Sequence, residues 1–367
     1  MSGTSLDGVD AVLALFGAQT FTPQSVLGHH HVPFPAELRA ALLALQHSGP
    51  DELHRAALAS TALAEVYASL IATLLRQTGK TAGEVLAVGA HGQTVRHRPE
   101  LGYTLQLNAP ARLAELCGIT VVADFRSRDV AAGGQGAPLV PAFHADLFGD
   151  PTRHRAVLNI GGIANITDLP AGTGQPVRGW DTGPGNCLLD GWIQTHRQQA
   201  YDANGAWAAS GRVQAVLLGS LLAEPWLQGP PPKSTGRDLF NMEWLAARLR
   251  TGGVLRPEDV QATLAEFTAR CIARDIGRFC AGVEEVIVCG GGILNGHLMD
   301  RLASTLLTES NTPVALCSSA DHGLPPDEVE ALAFAWLAWR HMNDLPGNLP
   351  AVTGARGLRI LGARYPA

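Results

Sequence analysis

One carboxylate in this 367-residue chain stands where a general base would be wanted. Asp181 follows a short β-prone run, residues 177–180. It precedes the turn Gly183-Pro184-Gly185-Asn186 and a helical run that opens at Cys187. A carboxylate at a strand end, facing a glycine-rich helix opening, can take a proton beside a bound anion. Asp also caps turns and helix starts, so Asp181 alone decides nothing. Three further glycine turns share its strand-side setting. The first, Gly3-Thr4-Ser5-Leu6-Asp7-Gly8, leads into Val9 and Asp10 and offers hydroxyls and backbone N–H groups as an anion nest. The second, Gly161-Gly162, lies between two β-branched runs in the form of a hairpin turn. The third, Gly290-Gly291-Gly292-Ile293-Leu294-Asn295, joins a buried strand to a helix. That is a nucleotide-contact signal, although neither a dinucleotide fingerprint nor a P-loop.

Two cationic stretches accompany them. His91-Gly92-Gln93-Thr94-Val95-Arg96-His97-Arg98 reads as a polar loop at a sheet edge. Asp124, Arg126, Arg128 and Asp129 end a buried strand and precede the Gly-rich residues 131–138. They read either as a cleft wall, with arginine suited to carboxylate or phosphate, or as an ion-pair cluster.

Positioning these residues requires an alternating α/β chain. Helices are expected at 35–48, 51–78, 109–117, 139–148, 213–226, 257–280 and 327–342, the last carrying Glu330 among alanines and aromatics. Strands are expected at 9–16, 84–90, 103–107, 119–123, 156–160, 163–167, 285–289 and 314–317. The N-terminal glycine turn and Gly161-Gly162 lie about 155 residues apart, as in two related halves that each open with a phosphate-touching hairpin, although no strand precedes the first turn. Residues 348–355 form a tail closing on the first lobe.

Composition narrows the class. Hydrophobic residues make up 46% and charged residues 16%, so the chain is globular. Its length exceeds what one core fills, so two lobes are expected. A net charge of −6 gives no footprint for nucleic acid and no polybasic membrane patch. The six cysteines form no CxxC pair and read as buried, reduced thiols of a cytoplasmic protein. No apolar run of bilayer-spanning length and no basic-then-apolar leader is visible.

The four turns together have the pattern of the actin, hexokinase and heat-shock ATPase superfamily. The chain resembles, more specifically, the bacterial anhydro-N-acetylmuramic acid kinases, on motifs that span its length: residues 1–10 (MSGTSLDGVD), His91-Gly92-Gln93-Thr94, Asp124-Phe125-Arg126, residues 132–141 (AGGQGAPLVP), residues 159–165 (NIGGIAN), residues 181–186 (DTGPGN) and Val352-Thr353-Gly354-Ala355. The resemblance implies a two-lobed, actin-like α/β fold (ribonuclease H-like) with mixed sheets, an ATP cleft between the lobes, lobe closure on ligands, and a short strand ahead of Met1. It implies ATP-dependent hydrolytic opening of 1,6-anhydro-N-acetylmuramic acid with phosphorylation of O6, a step of peptidoglycan recycling. Asp181 would be the catalytic base. ATP would meet Gly3, Thr4, Ser5, Leu6, Asp7, Gly8, Val9 and Asp10, then Gly161, Gly162 and Asn165, with Gly290, Gly291, Gly292 and Asn295 beside the adenosine. Arg98, Arg126, Asp181 and Glu330 would meet the sugar. Asp7, or Asp181 through water, would hold Mg²⁺.

The lobes are expected at residues 1–126 plus 345–367, and 127–344. A homodimer is the general expectation for a soluble enzyme. Two alternatives stay open: a superfamily kinase in which Asp181 deprotonates an ordinary sugar hydroxyl, and a non-enzymatic nucleotide switch. A metal-dependent relative fits less well, because no helix pairs histidines at ligand spacing.

Overall fold

A computed structural model describes residues 1–3, 6, 8–17, 23–172, 174–250, 254–309 and 313–367. Thr4, Ser5 and Asp7 lie outside the described residues. The chain divides into two compact units, Met1–Leu147 with Glu328–Ala367, and Phe148–Asp327. The boundaries expected from sequence therefore move: residues 127–147 and 328–344 fall in the first unit. Their apolar faces are used there, where Phe16 stacks on Trp339 at 5.6 Å and Phe125 packs on Phe334 at 5.5 Å.

Among the described residues the first unit holds three small sheets where a single mixed sheet was expected. Strands β1 (Gly8–Phe16) and β2 (Pro23–Pro33) form an antiparallel hairpin with two register shifts. Strand β3 (Val88–Ala90) runs parallel to β6 (Val121–Ala123), whose other edge takes the C-terminal strand Ala363–Tyr365 antiparallel. Strands β4 (Gln93–Arg98) and β5 (Tyr103–Leu107) pair antiparallel. Sequence reading missed β2, whose Gly28 and three consecutive histidines blur the strand pattern. It also read β4 as a loop, although Gln93 and Val95 are buried in period-2 alternation. The strand expected at 84–90 shortens, because Thr81 and Glu84 form a capping box around a 3₁₀ turn at Ala82–Glu84.

Helix Glu52–Thr78 buries Ala59, Leu63, Tyr67, Leu70 and Leu74. It corrects one expectation: an 18-residue window of it has mean hydropathy 1.6, enough by length and composition to cross a membrane. A stripe of it packs into this unit's core, 33% of that window being buried.

Among the described residues, β1 and β3 each lack a second strand partner. A cavity of about 710 Å³ lies against both, lined by Val12, Ala14, Leu70, Leu74, Val88 and Trp339 among others. Met1 also lines it. Its amino group donates to Asp10 O at 2.6 Å, and Asp10 N–H donates to Met1 O at 2.9 Å, the exchange of an antiparallel pair.

The second unit is one five-stranded mixed sheet. Its strands are β7 (Arg155–Ile160), β8 (Ile163–Leu169), β9 (Arg178–Pro184), β10 (Glu285–Cys289) and β11 (Ala315–Ser318), in the order β11-β10-β7-β8-β9. The meander β7-β8-β9 is antiparallel, and β10 and β11 run parallel to β7. This is the ribonuclease H-like arrangement anticipated from sequence. Helix Pro257–Phe279 lays Ile272 and Ile276 on Ile160, Ile166 and Trp180. Each such burial contributes about 1.5–3 kcal/mol. The helix expected at 213–226 runs only Ala215–Leu222, with Pro225 three residues beyond its end. Residues 201–211, expected as a turn, include the helix Ala206–Ser210.

Candidate functional site

Asp181 lies on β9, the last strand of the meander, opposite Asn165 of β8 beside a register shift. It is half-buried. The polar loop at residues 229–238 clamps it from one side. Ser234 donates its hydroxyl to Asp181 Oδ2 at 3.0 Å, Thr235 N–H donates to the same oxygen at 2.9 Å, and Asp181 N–H donates to Lys233 O at 3.0 Å. No hydrogen bond to Oδ1 is found among the described residues. Burial pushes the Asp181 carboxyl up to about 6, against the pull of Thr235, Ser234 and the Lys233 charge. One oxygen is thus fixed and the other can meet a proton, on a group that is still ionised near neutrality. A capping Asp would have its oxygens spent on the helix start. Helix Cys187–Arg197 is not capped by Asp181: its N-cap position is Asn186.

Below Asp181 lies a charge pair that sequence reading did not find. Lys233 Nζ meets Asp275 Oδ2 at 2.9 Å, with both side chains nearly sealed from solvent. Trp180 Nε1–H donates to the same Asp275 oxygen at 3.0 Å. The available signal was a lysine in a proline-rich loop and an aspartate on the buried face of an apolar helix. Nothing in their spacing pairs them.

The glycine turns of this unit interlock. Gly185 N–H and Cys187 N–H donate to Gly162 O at 2.9 and 3.1 Å, and Asn186 N–H donates to Gly161 O at 2.8 Å. A side chain at Gly185 would bring its Cβ within 2.3 Å of Gly161 O. The β7–β8 turn and the turn after Asp181 are therefore one packed piece, joined to a helix N-terminus. The Arg237 guanidinium lies 3.5 Å from where a Gly162 Cβ would stand. Sequence reading left Arg237 as a loop residue; here it brings a cation to the glycine turn.

Packing requires two of the three glycines at residues 290–292. Gly290 sits at φ +80°, and a Cβ there would come within 2.3 Å of Asn159 Oδ1; one at Gly292 would clash with Ile160 at 2.2 Å. Both are demanded by packing of β10 against β7. Gly291 faces open space. Asn295 accepts the Leu298 N–H at 3.0 Å and so caps helix Gly296–Glu309. Asn165, on β8 opposite both Asn159 and Asp181, is half-buried.

The first unit gathers a second group. Gly3 O accepts from Gln93 Nε2 at 3.2 Å, and Ser2 Oγ donates to Gly92 O at 2.9 Å, so Ser2 and Gly3 rest on the start of β4. His91 Nε2 meets Arg126 at 2.9 Å, and Arg126 donates to Gly136 O at 2.8 Å. Burial brings the Arg126 guanidinium down to about 10, with Glu330 opposing, and holds His91 well below its ordinary value. Arg126 and Glu330 are thus electrostatic neighbours, Glu330 on the exposed face of helix Val329–Met342. Arg98 is exposed at the end of β4. It and Arg126 both act on His97. Leu6 and Val9 are core residues. Gly8 opens β1 against Val32 O. Asp10 is taken by His31 at 2.9 Å and His29 at 3.3 Å. Burial works against its charge, but these bonds hold it below the usual carboxylate range.

The segment 124–129 is not an ion-pair cluster. Asp129 is buried and accepts from Asn348 at 2.7 Å, Thr353 at 2.8 Å and Gly136 N–H at 2.8 Å. It ties the Gly-rich loop to the tail.

Comparison with known proteins adds the following. The family described as anhydro-N-acetylmuramic acid kinase matches residues 1–367. A protein of that name from Bordetella petrii is 59% identical, over all of this chain and 95% of its own length. One from Cupriavidus pinatubonensis is 56% identical, over all of this chain and 97% of its own. Among solved structures, an activator of a 2-hydroxyisocaproyl-CoA dehydratase from Clostridium difficile, with bound ADPNP, aligns with TM-score 0.44 and 12% identity over 88% of each chain.

Proposed function

Since the chain belongs to the anhydro-N-acetylmuramic acid kinase family, we propose that it uses ATP and water to convert 1,6-anhydro-N-acetylmuramic acid into N-acetylmuramic acid 6-phosphate and ADP. Cell-wall recycling and amino-sugar metabolism are the setting of that reaction. The observation that carries the mechanism is Asp181: a half-buried carboxylate with one oxygen pinned and the other open, and an affinity for protons raised to about 6.

Asp181 Oδ1 takes a proton from water as the water oxygen bonds to C1 of the sugar. The C1–O6 bond breaks, O6 bonds to the γ-phosphorus, and the bond from that phosphorus to the β-phosphate oxygen breaks to release ADP. Glycoside cleavage ordinarily needs a second carboxyl group to protonate the leaving oxygen. Here the phosphoryl group captures O6, so one base suffices. The remaining work is positioning and charge neutralisation. The interlocked turns at Gly161-Gly162 and Gly183–Asn186 suit the phosphates, with Arg237 adding charge. The N-terminal turn, through Gly3, Thr4, Ser5 and Gly8, supplies the other phosphate contacts, while Leu6 and Val9 are spent on the core and Asp10 on its histidines; Gly291 and Asn295 border the adenosine. Arg98, Arg126 and Glu330 take the sugar, an arginine being the natural partner of its lactyl carboxylate.

Asp10 does not suit a cation, since both of its histidine partners compete for it. Asp7 is the carboxylate proposed for Mg²⁺, which leaves Asp181 Oδ1 to the water that attacks C1. When bound, Mg²⁺ neutralises phosphate charge. We read the enzyme as cytoplasmic, in keeping with six free cysteines, and as a homodimer.

Turnover in ¹⁸O-labelled water tests the reading. Label entering at C1 with ADP formation is expected. ADP formation without label at C1 would favour the alternative, in which Asp181 deprotonates an ordinary sugar hydroxyl.

A further inference from the structure

One edge of the second unit's sheet carries a donor set that the proposed reaction does not use. Cys317 is on β11, His322 ends the 3₁₀ turn Ser319–His322 that follows it, and Glu285 opens β10. Cys317 Sγ lies 3.6 Å from His322 Nε2, and His322 Nε2 lies 3.6 Å from Glu285 Oε1. All three donor atoms fall within 4.8 Å of one another, and all three residues are half-buried.

A tetrahedral Zn²⁺ bonds sulfur at about 2.3 Å, nitrogen at about 2.0–2.1 Å and oxygen at about 2.0–2.2 Å, which sets neighbouring donor atoms about 3.3–3.6 Å apart. Two edges of this triangle already have that length. A weak S–H···N hydrogen bond beside an ion pair would account for the distances alone. The division of labour on Glu285 goes further. Its Oε2 accepts from Arg155 Nε at 2.7 Å, and Arg155 is shared with Asp150 at 3.3 Å. Its Oε1 faces His322 Nε2 at 3.6 Å, with Arg153 Nη1 farther off at 4.0 Å. A carboxylate fixed through one oxygen by a neighbouring group, with the other turned to the donor cluster, is the outer-shell support that metal ligands receive. Phe148 stands edge-on to His322, ring centroids 6.0 Å apart.

We propose that Glu285, Cys317 and His322 form a tetrahedral Zn²⁺ site, with water in the fourth place, that clips β11 to β10. Sulfur, imidazole and carboxylate together select zinc over magnesium or calcium. On binding, the Cys317 S–H bond is replaced by an S–Zn bond and the proton passes to solvent. The site lies on the β11 edge of the sheet, whereas Asp181 lies on the β9 edge, so it does not depend on the kinase reading.

The test titrates the full, metal-stripped chain with Co²⁺ as a spectroscopic substitute for Zn²⁺. One Co²⁺ per chain is expected, with tetrahedral visible bands and a near-ultraviolet thiolate band. Zn²⁺ displaces it and raises Tm. Cys317→Ser abolishes the thiolate band, and His322→Gln, at a half-buried turn, weakens binding at least tenfold while keeping the native circular dichroism. Cys117→Ser leaves both unchanged. Absence of a thiolate band in the unaltered chain overturns the proposal. So does its survival in Cys317→Ser, or its loss in Cys117→Ser.

Discussion

Lys233 and Asp275 meet at 2.9 Å in the interior of the second unit, their side chains 6% and 3% exposed, and the carbonyl of that same lysine holds the backbone of Asp181. Burial lifts the Asp275 carboxyl above its usual range despite the lysine, so the pair fixes geometry more than it adds stability. Lys233→Met leaves a carboxylate buried without its cation and is expected to cost about 3–5 kcal/mol. Lys233→Met combined with Asp275→Leu recovers most of that loss. Urea unfolding of the two variants checks the pair of expectations, and equal destabilisation by both would refute them.

Asp181→Asn keeps an acceptor for Ser234 and Thr235 but removes the base. We expect kcat to fall about 10²–10⁴-fold, the range of a positioned proton acceptor, with Tm within a few degrees of the parent. Steady-state kinetics and a melting curve decide it. Near-normal turnover would remove Asp181 from the chemistry.

The pH profile carries a sign. A base with a proton affinity near 6 must be ionised to act, so kcat/KM rises with pH through about 6 and then levels. Ser234→Ala deletes a bond that favours the ionised form and shifts this acid limb upward, with little change in the plateau. A limb that stays put or moves down contradicts the assignment.

The glycines separate packing from ligand contact. Gly185→Ala drives a Cβ into Gly161 O and is expected to destabilise the whole unit. Gly291→Ala enters open space, so Tm holds while ATP affinity falls if the loop borders adenosine. Nucleotide titration of Gly291→Ala with unaltered affinity would restrict the loop to a structural part.

Much of the second unit was legible because its periodicities are strong. The strand at 285–289 and helix 257–280 were bounded to within a residue, since buried parallel strands and long amphipathic helices announce themselves by run length and spacing. The first unit was less legible. A histidine triplet in β2 and polar residues on β4 carry little alternation, and a sheet divided into three has short strands. At the site, Asp181 could be singled out from its own turn. Ser234, Thr235 and Arg237 could not, because a loop becomes a clamp only through contacts made some fifty residues or more away in sequence. Gly290 and Gly292 pointed to a ligand from sequence, and packing proved sufficient to require them.

The first unit is discontinuous: its last forty residues include helix Val329–Met342, the tail held by Asp129 and the strand that completes the β6 sheet. During synthesis these emerge from the ribosome last. The second unit is therefore whole while the first is still waiting for its closing pieces. Vectorial folding should finish the base-bearing half before the half that holds Arg126, and a nascent chain stalled near residue 327 would carry a protease-resistant core beside an unfinished one.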